Sequence, residues 1–227
     1  TKTIAMRHGL RATFMPKPVF GAAGSGMHVN ISLFRGLENA FYDPETRLNI
    51  SDLARFFVGG LIEHAGAITA IANPLINSYK RLVSGFEAPV YITWSGPNRS
   101  SLIRIPSGRG LSTRVEFRSP DPSCNPYLTF AVILAAGLDG IKRGIDPGDP
   151  VDLNVYHLTA AERKSLGIRT LPTDLKEALA CLEEDKVIRE ALGEHVHQNV
   201  MRLGMLEWEQ YNKFVHPWEI ERYINTY

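Results

Sequence analysis

Two periodicities occur in a fixed order along this chain, and that order limits the folds open to it. Four short stretches alternate apolar and polar residues: Gly26 to Phe34, Val90 to Trp94, Ser101 to Ile105 and Thr113 to Arg118. A period of two sends successive side chains to opposite faces, so each stretch reads as a strand. After the turn-rich GIDPGDPVD the apolar residues recur at helical spacing instead. Strands gathered ahead of a helical tail do not repeat a strand–helix–strand unit, so the chain predicts an α+β fold. It contains no internal repeat or low-complexity segment.

Two helices bracket the last three of these strands. Ser51 is placed to cap one in which Leu53, Phe56, Phe57, Leu61, Ile68 and Ile71 recur near helical spacing, until Asn73-Pro74 stops it. Asn125 caps the other, with Pro126 at its first position, and its apolar stretch runs to Ile141 before Gly144 ends it. In the tail, Thr159 and Glu162 form a capping box, Thr173 opens DLKEALACLEEDKVIREAL, and Glu194 begins a third long amphipathic segment. With 227 residues, 44% of them hydrophobic, the chain can bury a sizeable core.

A net charge of +1 from scattered basic residues gives no broad footprint for nucleic acid or an anionic membrane, so the expected partners are small molecules or proteins. The nearly apolar run Ala131 to Leu138 is far short of the ~20 residues a membrane helix needs. Cys124 and Cys181 lack metal-ligand spacing, and no secretory signal opens the chain, which fits a reducing cytoplasm. Thr1 is not an initiator Met, and TKTIAMRHGL opens an amphipathic segment already in progress, so a fragment is expected.

The polar residues of the alternating segments carry the chemistry. In MHVNISL, His28, Asn30 and Ser32 share one strand face, directly after the flexible loop GAAGSG. In RVEFR, Arg114, Glu116 and Arg118 share a face opposite Val115 and Phe117. A solvent-facing strand and a surface ion-pair ladder would show the same alternations. Arg99 and Arg104 add two guanidiniums nearby, and arginine clamps phosphate or carboxylate oxygens bidentately. Four arginines around one carboxylate suggest a polyanionic substrate with a hard cation held by Glu116. Between these segments, NSYKRLVSGFEAP carries Arg81 and Glu87 around a Ser84-Gly85 turn: an ordinary surface turn, or a mobile lid with a catalytic carboxylate.

Together these segments resemble glutamine synthetases of the bacterial type. KPVFGAAGSGMHVNIS is similar to that family's ATP-region signature, NSYKRLVSGFEAP to its glutamate flap, NRSSLIRIP to its phosphate-binding strand pair, and RVEFRSPDPSCNPYL to its metal and substrate strand. The likeness runs from about Ile4 to the C-terminus and includes ALGEH and HPWEIERY. It implies the family's curved, mostly antiparallel, guanido-kinase-like catalytic sheet, with residues 1–145 as sheet and core helices and 146–227 as a helical C-terminal region. The N-terminal domain would be absent from this chain.

The activity implied is ATP-dependent ligation of ammonia to glutamate with Mg²⁺ or Mn²⁺, in a two-ring dodecamer. His28 and Glu116 would ligate the metal. Asn30, Ser32, Arg99, Arg104 and Arg114 would bind ATP. Gly24, His28, Arg81, Glu87 and Arg118 would hold glutamate, with Glu87, Arg99 and Arg118 acting in the chemistry. The remaining carboxylate ligands and an ammonium-site Asp would precede this chain, so the chain alone is expected to be inactive.

Ala23 stands where the family usually has Asn, and Ser84 and Phe86 where it has Pro and Tyr. These departures leave open a γ-glutamyl ligase for a larger amine, or a non-enzymatic module of the same fold. Tyr156 occupies the place of a tyrosine adenylylated in some members, but NVYHLTAAE lacks the acidic and proline residues that follow it there, so no adenylylation is expected.

Overall fold

The computed structural model describes residues 1–86, 88–96 and 98–227. The first half carries helix α1 (Lys2–Arg7), strands β1 (Val29–Ile31), β2 (Phe34–Arg35) and β3 (Glu38–Asn39), and helices α2 (Asp52–Glu63), α3 (Ala65–Ala72) and α4 (Ile76–Arg81). Strands β4 (Tyr91–Ile92), β5 (Trp94–Ser95), β6 (Ile103–Arg104) and β7 (Val115–Phe117) follow. The rest is α5 (Pro126–Arg143), α6 (Ala160–Ser165), β8 (Arg169–Thr170), α7 (Leu175–Glu184), α8 (Lys186–Lys213) and α9 (Pro217–Tyr223).

The caps form where the sequence places them, with one exception. Ser51 accepts from the Ala54 amide, Asn125 from Tyr127 and Leu128, and the Thr159–Glu162 capping box closes. Gly144 ends α5 at φ 63°, a left-handed conformation that costs glycine little. Before α7, however, the cap is Asp174, while Thr173 bonds Glu177 through its backbone N–H and its hydroxyl. The long α8 is also interrupted, at Gly193 (φ 70°, ψ 158°).

A four-stranded sheet in the order β1-β7-β6-β5 carries the alternating segments. Its pairings are antiparallel except β5 with β6, which is parallel. The register aligns side chains by character. Val29, Phe117 and Ile103 form one row across three strands, and Asn30, Glu116 and Arg104 form the next. Since neighbouring rows point to opposite faces, the apolar row enters the core and the polar row faces away from it. Val115, Phe117 and Ile103 are accordingly buried in one cluster with Val132 and Ile133 of α5.

The expected strand from Val90 to Trp94 is divided. Tyr91–Ile92 pairs with β8 from the tail, whereas Trp94–Ser95 joins the main sheet. Behind the sheet, α2 and α5 cross in backbone contact: a Cβ on Gly60 would lie 2.0 Å from the Ala136 carbonyl oxygen, and one on Gly140 would lie 2.1 Å from that of Phe56. Among the described residues, no helix is long and apolar enough to cross a membrane.

Candidate functional site

The polar row is centred on Glu116, a residue only 8% exposed. Its Oε1 accepts from His28 Nδ1 at 2.9 Å, its Oε2 accepts from Arg104 Nη1 at 2.8 Å, and Arg118 Nε lies 3.8 Å from Oε1. A buried carboxylate is tolerated where cations and donors surround it, and here each partner comes from a different strand or strand end. Burial lowers the His28 pKa, and the neighbouring Arg118 charge lowers it further, against the opposing pull of Glu116. A neutral ring beside a carboxylate is a donor pair that suits a divalent cation. Among the described residues, no group of three or more His, Cys, Asp or Glu is placed to hold a metal ion, so His28 and Glu116 can supply only part of such a site.

Two cavities open on this cluster and share His28 and Arg118 as a common wall. The larger, about 520 Å³, is lined by Asn98, Arg99, Ser100, Arg104, Glu116, Asn154 and Tyr156 besides these two. The smaller, about 260 Å³, is lined by Ala23, Gly24, Gly26, Arg81, Phe86 and Ala88.

Arg81 is delivered to the smaller cavity by the last turn of α4 and is 4% exposed. Its Nη1 donates to the Ser119 carbonyl at 2.5 Å and its Nη2 to that of Arg118 at 3.2 Å. Burial lowers its pKa, partly opposed by the charge of Asp121. The glycine loop lies directly on this side chain. A Cβ on Gly24 would come within 2.5 Å of the Pro16 carbonyl oxygen and 2.9 Å of Arg81 Cγ, and one on Gly26 within 2.6 Å of Arg81 Nη2. The loop is thus glycine-rich where the backbone must approach a buried guanidinium. On the far side, Asn73 Nδ2 donates to Ser119 O at 2.8 Å and Asp121 Oδ2 at 3.1 Å, fixing the segment that Arg81 grips.

Among the described residues, those singled out in the sequence fall into three groups. His28, Arg99, Arg104, Glu116 and Arg118 converge on the larger cavity, and Gly24 and Arg81 on the smaller. Arg118 reaches back to the carbonyls of Arg99 and Ser101, tying the loop after β5 to β7. Asn30, Ser32 and Arg114 line neither cavity; Arg114 Nε instead donates to Asn30 Oδ1 at 2.9 Å, farther along the same face. Glu87 lies outside the described residues.

The chain is similar to known proteins along nearly its whole length. The family model described as "Glutamine synthetase, catalytic domain" matches residues 1–223. The chain belongs to the glutamine synthetase family. A glutamine synthetase of Methanosarcina mazei is 55% identical over 99% of this chain and 50% of its own length. One from Thermotoga maritima is 56% identical over 98% of this chain and 51% of its own. Among solved structures, "Apo GmaS without ligand" superposes with a TM-score of 0.86 at 40% identity, over 98% of this chain and 50% of the other. "GmaS/ADP complex-Conformation 1" gives 0.87 at 39% identity, over 99% and 51%. The chain thus spans about half the length of the glutamine synthetases it matches.

Several residues that complete the cavities of this glutamine synthetase domain were not singled out as site residues. Asn98 donates to the carbonyls of Val151 and Leu153, and Ser95 Oγ donates to Asp152 Oδ1 at 2.7 Å, which brings the 151–156 stretch against the sheet. Asn154 and Tyr156 reach the site by that route. The signal available was Asn98 beside Arg99, a turn residue next to a candidate ligand.

Proposed function

We propose that this chain is half of an enzyme that joins ammonia to glutamate at the expense of ATP. The carrying observation is that two cavities, each with buried or partly buried arginines, meet at a wall made of His28 and Arg118. A carboxylate held by Arg81 and phosphates held by Arg99 and Arg104 would face each other across that wall. The γ-carboxylate oxygen of glutamate attacks the γ-phosphorus of ATP, a new O–P bond forms, the bond to ADP breaks, and γ-glutamyl phosphate results. Ammonia nitrogen then forms the C–N bond as the C–O bond to phosphate breaks. The released proton goes to a carboxylate, the part we assign to Glu87.

Arg99, Arg104 and Arg118 offset charge on the transferring phosphoryl group, while Arg81 orients the amino-acid end. Asn30, Ser32 and Arg114, farther along the face, would contact the nucleotide. His28 and Glu116 would hold part of a divalent cation site, Mg²⁺ or Mn²⁺, whose bound ion supplies charge neutralisation at the phosphate oxygens. One imidazole and one carboxylate leave that site unfinished, so the 227-residue chain alone should form no glutamine. The complete enzyme would assemble as a homo-oligomer, a dodecamer by family likeness.

One observation favours a second reading. Ala23, Phe86 and Ala88 give the smaller cavity an apolar flank, which would suit an amine bearing an alkyl group. Phosphate release by the full-length protein, assayed with and without glutamate over ammonium and a series of alkylamines, decides between them. Ammonium-dependent release requiring glutamate is expected. Release only with alkylamines would support the second reading, and release indifferent to glutamate would remove both.

A further inference from the structure

Two contacts that the proposed chemistry does not use grip the residues on either side of position 87. On the N-terminal side, Lys17 Nζ lies 3.6 Å from the centroid of the Phe86 ring. The lysine is itself anchored. Its backbone N–H donates to Asn77 Oδ1 at 2.8 Å, Asn77 Nδ2 donates back to its carbonyl at 3.0 Å, and Nζ also donates to the Ala22 carbonyl. Asn77 belongs to α4, the helix that presents Arg81, so the cation over Phe86 and the guanidinium in the cavity share one support.

On the C-terminal side, Tyr156 Oη donates to the Ala88 carbonyl at 2.5 Å. Tyr156 sits in a short 3₁₀ turn, Val155–His157, whose cap Asn154 accepts from the Tyr156 amide at 3.1 Å. Its ring packs on Tyr91 at 5.7 Å, and the Arg163 guanidinium also lies over the Tyr91 ring, 4.8 Å from its centroid. Burial raises the pKa of the Tyr156 hydroxyl, which keeps its proton available for this bond. Tyr156 lines the larger cavity while Ala88 and Phe86 line the smaller, so the hydroxyl ties one chamber to the other.

We propose that Lys17 and Tyr156 are positioning residues that fix the stretch carrying Phe86 and Ala88 along the smaller cavity, which shares its His28–Arg118 wall with the larger one, and so set how the acyl phosphate divides between ammonia and water. This rests on the ligase reading given above. In the productive route nitrogen bonds to the carbonyl carbon and phosphate leaves. In the wasteful route water oxygen bonds to the same carbon, phosphate leaves, and glutamate is regenerated. A wall held from two directions excludes water from that carbon, and a wall held from one direction does so less well.

The test uses the full-length enzyme with Tyr156→Phe, Lys17→Met and the conservative Lys17→Arg. Hydrogen exchange of a peptide covering residues 82–90 reads the anchoring directly, and phosphate released per glutamine formed reads the partition. Tyr156→Phe and Lys17→Met should each speed exchange in that peptide and raise the phosphate-to-glutamine ratio by at least about twofold. Lys17→Arg should stay near wild type in both, since a guanidinium can also sit over the ring. Unchanged exchange in both disruptive variants overturns the anchoring. Faster exchange with an unchanged ratio overturns the role in partition. Should the wild type form no glutamine at all, the ligase reading fails, while the exchange measurement still decides whether these residues hold the stretch.

Discussion

Glu116 is where strand geometry becomes chemistry, because one carboxylate accepts from a histidine and an arginine brought together from separate strands. Removing its charge would deprive Arg104 Nη1 and the His28 ring of the charged acceptor they share. Breaking a fully buried ion pair typically costs about 3–5 kcal/mol. Partial exposure of His28 and Arg104 lowers the expectation for Glu116→Gln to about 2 kcal/mol, by the screening that weakens exposed pairs. Urea unfolding of the whole protein should show this as a lower midpoint with unchanged slope, and a loss below about 0.5 kcal/mol would mean the cluster is held by packing alone. The residues of this cluster were legible as types on one strand face. What alternation does not contain is which partner each would take. Arg114 and Arg118 are equivalent by periodicity, yet one bonds Asn30 and the other reaches the loop after β5. That division depends on register with a strand far away in sequence.

At the scale of elements, His64 joins three helical corners. It lies between α2 and α3, 5% exposed, and donates from Nδ1 to Asp185 Oδ2 at 2.7 Å and from Nε2 to Asp139 Oδ2 at 3.0 Å. Both ring nitrogens can donate only in the imidazolium form. Burial opposes that charge, but the hydrogen bonds to Asp185 and Asp139 prevail and raise the His64 pKa above its ordinary 6.5. A raised folded-state pKa contributes stability that is complete below the unfolded value of about 6.5 and is lost as pH climbs through the folded value. Thermal unfolding should therefore show a stability increment that is complete below about pH 6.5, fades as pH rises above it and is missing in His64→Gln. A His64→Gln protein with the wild-type pH profile would show that the imidazolium is not what joins these corners. Helix starts and stops were readable here because caps are local. Ser51, Asn125 and Gly144 act within a turn of their own positions. The division of Val90 to Trp94 was not readable, because β8, the partner of Tyr91–Ile92, comes from the tail. The break at Gly193 falls where a new segment was expected, just before Glu194, whereas the one at Asp185 divides DLKEALACLEEDKVIREAL, which read as a single helix.

Across the whole molecule, apolar surface is distributed unevenly. The outward face of α5 exposes Tyr127, Phe130, Leu134 and Leu138, and beside it an apolar cavity of about 350 Å³ runs along the edge of β1, lined by Met27, Val29, Ile31, Phe130, Ile133 and Leu134. An unpaired strand edge next to exposed aliphatic and aromatic side chains favours association. Sedimentation of the 227-residue chain by itself should show concentration-dependent self-association, and Phe130→Glu with Leu134→Glu should shift it toward monomer. A monomeric wild-type chain at the same concentration would count against this face being adhesive. The contact between His28 and Glu116 spans 88 positions of sequence. Closing so long a loop is slow compared with helix formation, so the helices can be in place before β1 docks on β7. The candidate site is then completed only after its supporting helices, and the His28–Glu116 contact marks the docking of β1 on β7.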